Sequence, residues 1–250
     1  MARAARVVRR MMFGGGGPQA RQYHPGFMAR SSQPAPPPNS AQKRRARAIL
    51  KRLKDRYPAI GTALRYLDAF QLIVATVMSA QTTDENVNKI TPVLFERYPA
   101  PADLAAANPE DIEAIIFSSG FFRQKTKSII ALSRALVENF DGVVPPTLDE
   151  MVTLPGVGRK TASVVLAEAF RSPAIAVDTH VKRVSQRLDM TINTDPVKIE
   201  SDLRALFPRK EWAGVSMRMI QFGRDVCDAR RPLCETCELN RICRWPGKRV

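Results

Sequence analysis

The spacing of its apolar residues constrains this chain more than any other feature. From residue 43 onward they recur at intervals of three and four, the repeat that lays one stripe of a helix against a core. Ile49, Leu50, Leu53 and Tyr57 form one stripe, and Ile112, Ile115 and Ile116 a second. Ile129, Leu132, Leu136 and Phe140 form a third, Ile199, Leu203, Leu206 and Phe207 a fourth, and Trp212, Val215 and Met219 a fifth. Start signals precede several of them. Asn108 stands before Pro109, Glu110 and Asp111, Thr147 with Glu150 makes a capping box before Met151, and Asp195 with Pro196 opens a helix that Pro208 stops. Gly120 is expected to end the helix that begins at 109. No run alternates with period two between hairpin turns. The expectation is an all-α protein of about ten short helices without an internal repeat.

The first forty residues do not share this pattern. They contain GGGG at 14–17, PAPPP at 34–38 and six Arg without an acidic residue. Such a stretch cannot bury enough apolar surface to offset chain entropy, so residues 1–40 read as a disordered basic tail. Roughly 200 residues remain, enough for one large domain or two small ones. The net charge is +15, and ten of the 39 basic residues but none of the 24 acidic ones lie in 1–47. A basic tail on a mildly basic body suits an anionic polymer as partner, and equally suits a solvated tail, so charge alone does not decide. No apolar run approaches the ~18 residues of a membrane span, nor the shorter core of a secretory signal. A cytoplasmic protein with no membrane association is expected. The Arg-rich, acid-free leader leaves mitochondrial import, or a true start at Met28, as alternatives.

Chemistry first enters at LPGVGRKTA, residues 154–162. Pro155 is expected to end one helix, Gly156 and Gly158 to let the backbone turn tightly and approach a partner closely, and a second helix to run through Ala162, Val165, Leu166 and Ala169. Its first amides have no intrahelical acceptor and lie at the positive end of the helix dipole, which makes them an anion site. A plain inter-helix turn would use the same two glycines. Farther on, Asp178 precedes Thr179 and a stripe of Val181, Val184 and Leu188, the position of an N-cap. Four cysteines, Cys227-x6-Cys234-x2-Cys237-x5-Cys243, fall within seventeen residues. That crowding argues against a disulfide framework spread through a secreted fold. Four thiolates on one short loop suit an iron–sulfur cluster or tetrahedral zinc, with zinc the commoner metal at four-cysteine sites. Arg230 and Arg231, between two of the ligands, would be held rigidly and presented to phosphates.

LPGVGRKTA resembles the helix-hairpin-helix of the endonuclease III family of DNA glycosylases. VDTH at 177–180 resembles a second, catalytic block of that family, and MSAQTTD at 78–84 a third that lines the lesion pocket. The similarity runs in order from about residue 45 to 245. What the resemblance implies is a bifunctional DNA glycosylase and abasic-site lyase of base excision repair, excising oxidised pyrimidines from duplex DNA. Lys160 would attack the sugar C1′ and cleave 3′ to the abasic site by β-elimination through a Schiff base, with Asp178 as its carboxylate partner. The cysteine spacing matches the family's [4Fe–4S] site, so the resemblance moves the metal assignment from zinc to that cluster. Gly156, Gly158 and Arg159 would meet the DNA backbone. Gln81 and Phe121, the latter chosen over Phe122, would fill the gap left by the extruded nucleotide, and Thr82, Asp84 and His180 would stand at the lesion pocket. His180 reads as a packing or hydrogen-bonding residue rather than an acid or base. The chain departs from the family pattern at Ser163, where Asn is usual, and at Lys182, where an apolar residue is common.

The expected architecture is a helical bundle over residues 62–172 carrying the hairpin, and an iron–sulfur domain of 41–61 plus 173–250, with a positive groove between them. The expected partner is double-stranded DNA containing damaged bases or abasic sites, bound by a monomer. One rival is a monofunctional adenine mismatch glycosylase, which would lack the lysine and carry a further C-terminal domain; this chain has Lys160 and ends seven residues after Cys243. A non-catalytic, metal-stabilised DNA-binding protein is the other, and would make Lys160 and Asp178 incidental.

Overall fold

The computed structural model describes residues 37–248. The segment read as a tail lies, up to residue 36, outside the described residues. Of its last four positions, Asn39 caps and Ser40 opens the first helix, so that helix takes in the end of the stretch read as a tail. Among the described residues there are eleven α-helices, three single-turn 3-10 helices and no strand. No helix among them is long and apolar enough to cross a membrane.

Helix α1 (Ser40–Arg56) starts with a reciprocal box, in which the Asn39 side chain accepts from the Gln42 amide at 2.9 Å and the Gln42 side chain accepts from the Asn39 amide at 2.8 Å. Helix α2 (Ala69–Met78) is buried at every position from 72 to 78, the mark of a central core helix rather than a surface one. It is surrounded by α3 (Asp84–Arg97), α4 (Pro101–Ala106), α5 (Pro109–Ile116) and the long α6 (Phe122–Phe140). The expected caps at Asn108 and Thr147 are present, each accepting from the backbone of Glu110 or Glu150. After α7 (Leu148–Met151), a single turn, come α8 (Arg159–Glu168), α9 (Thr179–Arg187), α10 (Pro196–Leu206) and α11 (Trp212–Asp225). Pro155 therefore does not end α7, which stops at Met151; it lies inside the turn that follows.

The described chain forms one compact unit built on two hydrophobic cores. The first draws on Leu64 through Ala174 and includes Ala162, Val165 and Leu166 of α8. The second joins Ala46, Ile49, Leu50 and Leu53 of α1 to residues from Ile175 to Leu239. Two crossings connect them, near residues 57–64 and at 174–175; the first lines the site, and the second leads into α9.

Candidate active site

The turn before α8 is anchored by burying Leu154 and Val157 in the first core and bent at Gly156, whose φ is +77°. A Cβ at Gly156 would also come within 3.1 Å of the Ser128 Cβ, so both conformation and space call for glycine. Gly158 differs. Its φ of −85° suits any residue, and a Cβ there would meet nothing within 4 Å. Inside the protein nothing requires glycine at 158; what its missing Cβ clears is the approach from outside. Gly158 caps α8 without any side-chain hydrogen bond, and the first helical bond runs from the Ala162 amide to the Gly158 carbonyl at 3.0 Å. The amides of Arg159, Lys160 and Thr161 precede that bond, so the helix start is left open, the arrangement an anion site would need.

Lys160, in the first turn of α8, and Asp178, the N-cap of α9, line one open cavity. Lys160 is exposed and has no hydrogen bond or ion pair among the described residues. The Asp178 Oδ1 accepts the Val181 amide at 2.8 Å, closing the start of α9. Its second oxygen has no partner among the described residues. One carboxylate thus caps its helix and keeps an acceptor for the cavity. Asp84, at the start of α3, shares the cavity and pairs with Arg224 of α11 at 3.6 Å. Residues 60–64, the crossing between the cores, supply five consecutive lining positions, and Gln221 adds a polar one. No motif or periodicity marks that stretch in the sequence; only its freedom from the helical repeat sets it apart.

The other sequence-derived residues distribute unevenly. Thr82 and His180 are not among the residues lining this cavity. The Thr82 hydroxyl accepts from the Asn86 side chain at 3.1 Å, and the His180 ring lies 3.0 Å from the Arg183 guanidinium. Gln81 and Phe121 are both exposed, and both hold left-handed backbone, at φ 57° and 49°. For residues other than glycine that conformation costs on the order of 1 kcal/mol each, and such strain gathers at functional loops. Phe121 is 68% exposed, whereas Phe122 packs against Phe117 with ring centres 4.9 Å apart. Beneath this loop the buried Lys125 donates to the Ser119 carbonyl at 2.8 Å, and burial pushes its ammonium below the ordinary lysine range. Arg159 turns away from the open amides and pairs with Glu200 of α10 at 2.6 Å. Arg230 and Arg231 are exposed, with both their amides donating to the Asp228 Oδ1 at 2.8 Å; those bonds hold the Asp228 carboxyl below its usual range.

All four cysteines are free and line a second cavity beside Leu188, Phe222, Leu239 and Trp245. No carboxylate lines it. Burial raises the Cys227 thiol, against the pull of Arg187, whose guanidinium lies 3.4 Å from the sulfur and 4.0 Å above the Trp245 ring. Cys237 is pushed up to about 11, chiefly by burial. Among the described residues no three His, Cys, Asp or Glu side chains stand close enough together to hold one metal ion. The thiols instead ring a space with a fixed cation at its edge, a donor set that fits a four-thiolate cluster.

Residues 74–209 match the family described as HhH-GPD superfamily base excision DNA repair protein. Endonuclease III of Synechocystis sp. is 52% identical over 205 residues, spanning 82% of this chain and 94% of the relative. Endonuclease III of Thermotoga maritima is 42% identical over 204 residues, 82% of this chain and 92% of its own. Among solved structures, a trapped endonuclease III–DNA covalent intermediate superposes with a TM-score of 0.77 at 42% identity, covering 81% of this chain and 95% of that one. A thermostable thymine-DNA glycosylase, at 21% identity and a TM-score of 0.76, shares the fold.

Proposed function

This chain belongs to the endonuclease III family of the HhH-GPD superfamily, as a base excision repair DNA glycosylase and abasic-site lyase, and we propose that Lys160 and Asp178 carry its chemistry on oxidised pyrimidines. The observation that carries the assignment is that two helix starts, one from each core, bring a partnerless lysine and a carboxylate with one free oxygen to the same cavity. Asp178 takes a proton from the Lys160 ammonium, and the freed amine attacks C1′ as the glycosidic bond breaks and the base leaves with its electron pair. Ring opening gives a Schiff base, which acidifies the C2′ proton. Loss of that proton expels the 3′ phosphate, and water then releases Lys160. Asp178 also stabilises the positive charge that develops on the sugar.

Around this centre the open amides of α8 would hold a backbone phosphate, while Gln81 and Phe121, on strained exposed loops, would fill the vacated stack. Asp84 belongs to the pocket wall. Thr82 and His180 would stand beside that pocket, with their side chains bonded to Asn86 and Arg183. The cysteines would bind a [4Fe–4S] cluster that stiffens the loop carrying Arg230 and Arg231. Purified protein should then be yellow-brown and contain iron and acid-labile sulfide in equal amounts; colourless, active protein with stoichiometric zinc would overturn that part. The two cores support a division into 62–172 and 41–61 with 173–250, acting as a monomer on DNA in the cytoplasm.

The test of the whole reading uses full-length protein and duplex DNA containing an oxidised pyrimidine. Strand cleavage 3′ to the lesion, together with a borohydride-stabilised enzyme–DNA adduct, is expected. Base release without cleavage or adduct would make the enzyme monofunctional.

A further inference from the structure

The start of α8 has two needs that conflict. Its amides must stay open to receive an anion, so no side chain covers them, yet an uncovered helix end frays. Lys160 sits in that first turn, and a nucleophile displaced by about 1 Å can lose on the order of a hundredfold in rate. The side chain of Arg159, next to it, addresses the conflict. Its Nε lies 2.6 Å from the Glu200 Oε2, and Glu200 is only 3% exposed. The other Glu200 oxygen forms an ion pair with Arg204 at 2.6 Å, without hydrogen-bond geometry, and the Arg204 guanidinium in turn stacks 4.8 Å over the Trp212 ring. Glu200 belongs to α10, whose Ile199, Leu203 and Leu206 lie in the second core, whereas α8 packs in the first.

We propose that Arg159 is a positioning residue for the Lys160 nucleophile, clamped by the buried Glu200 carboxylate, rather than a DNA contact. The clamp secures the first turn of α8 through a side chain and leaves its amides free. Because it ties α8 to α10, it also fixes Lys160 relative to the core that carries Asp178. A buried carboxylate whose Oε2 accepts from Arg159 and whose Oε1 has no hydrogen bond of its own would lose its one hydrogen-bonded partner if that guanidinium left for an exposed phosphate. The proposal rests on Lys160 being the nucleophile.

The experiment compares full-length Arg159→Met, Arg159→Lys and Glu200→Gln with the parent enzyme in two measurements. One is the single-turnover rate of borohydride trapping on saturating abasic-site duplex. The other is the salt dependence of Kd for a duplex bearing an uncleavable abasic analogue. The clamp predicts trapping slowed by about tenfold or more in Arg159→Met and Glu200→Gln. It predicts partial recovery in Arg159→Lys, an Arg159→Met/Glu200→Gln double variant no slower than the worse of its two single variants, and an unchanged salt slope throughout. A phosphate contact predicts the reverse: Arg159→Met would flatten the slope by about 0.9 and leave saturated trapping intact, and Glu200→Gln would steepen it by freeing the guanidinium. That result overturns the proposal, as does a loss of thermal stability with an unchanged trapping rate. Should Glu200→Gln fail to fold, Arg159→Met decides alone, since its side chain is 38% exposed and removable. A parent enzyme that forms no adduct overturns the nucleophile reading, and the clamp with it.

Discussion

At the shared cavity α8 begins on Gly158 with nothing over its first amides, whereas α9 begins on Asp178, whose Oδ1 closes the Val181 amide. The same helix-start problem is solved in opposite ways. Glycine at an N-cap costs only about a few tenths of a kcal/mol relative to a side-chain cap, so amides can be left open to an outside anion with little loss of stability. A carboxylate cap spends one oxygen on its own helix and keeps the other for chemistry. On the proposed function, the first start would grip DNA and the second would assist Lys160, which lines the same cavity as Asp178.

Substitutions can break or sharpen this contrast. The largest effect should come from Lys160→Gln, which is expected to abolish strand cleavage and borohydride trapping while leaving affinity for an abasic-analogue duplex nearly intact. Asp178→Asn should follow. The amide still accepts from Val181, so stability should change by about 1 kcal/mol or less in urea unfolding, while single-turnover excision should fall by about a hundred- to ten-thousandfold. An Asp178→Asn enzyme with near-parental rate would leave the α9 start purely structural. The two glycines of the hairpin separate fold from function more finely. Gly156→Ala forces a left-handed alanine against Ser128 and should destabilise the protein by about 1–2 kcal/mol. Gly158→Ala meets no neighbour, so its stability should shift by less than about 1 kcal/mol, and the new methyl should instead weaken DNA binding several-fold. Normal binding by Gly158→Ala would mean the phosphate does not sit over the α8 amides.

Much of this was legible because it is local. Helix starts depend on a residue and its neighbours three or four positions away, so Asn108, Thr147, Asp178 and Asp195 could be read from sequence. So could the hairpin and the four cysteines, whose spacing is their signal. What escaped depends on contacts distant in sequence. Arg159 beside an anion-binding turn looks like a phosphate ligand until Glu200, forty-one residues on, is found buried against it. The cavity wall at 60–64 carries no periodicity or motif and becomes visible only once both cores are packed. Thr82 and His180 sit within the right motifs, but their side chains are engaged by Asn86 and Arg183. The end of α7 was misplaced because Pro155 is a strong stop signal, and the chain had already turned at Val152.

The central claim, that the uncapped helix start presents the nucleophile, is tested most directly by locating the covalent bond. The borohydride-reduced adduct formed on abasic-site duplex can be digested and its peptides sequenced by mass spectrometry. The account predicts that the sugar remnant sits on Lys160 in every adduct recovered. Attachment at any other amine, with Lys160 unmodified, would contradict it.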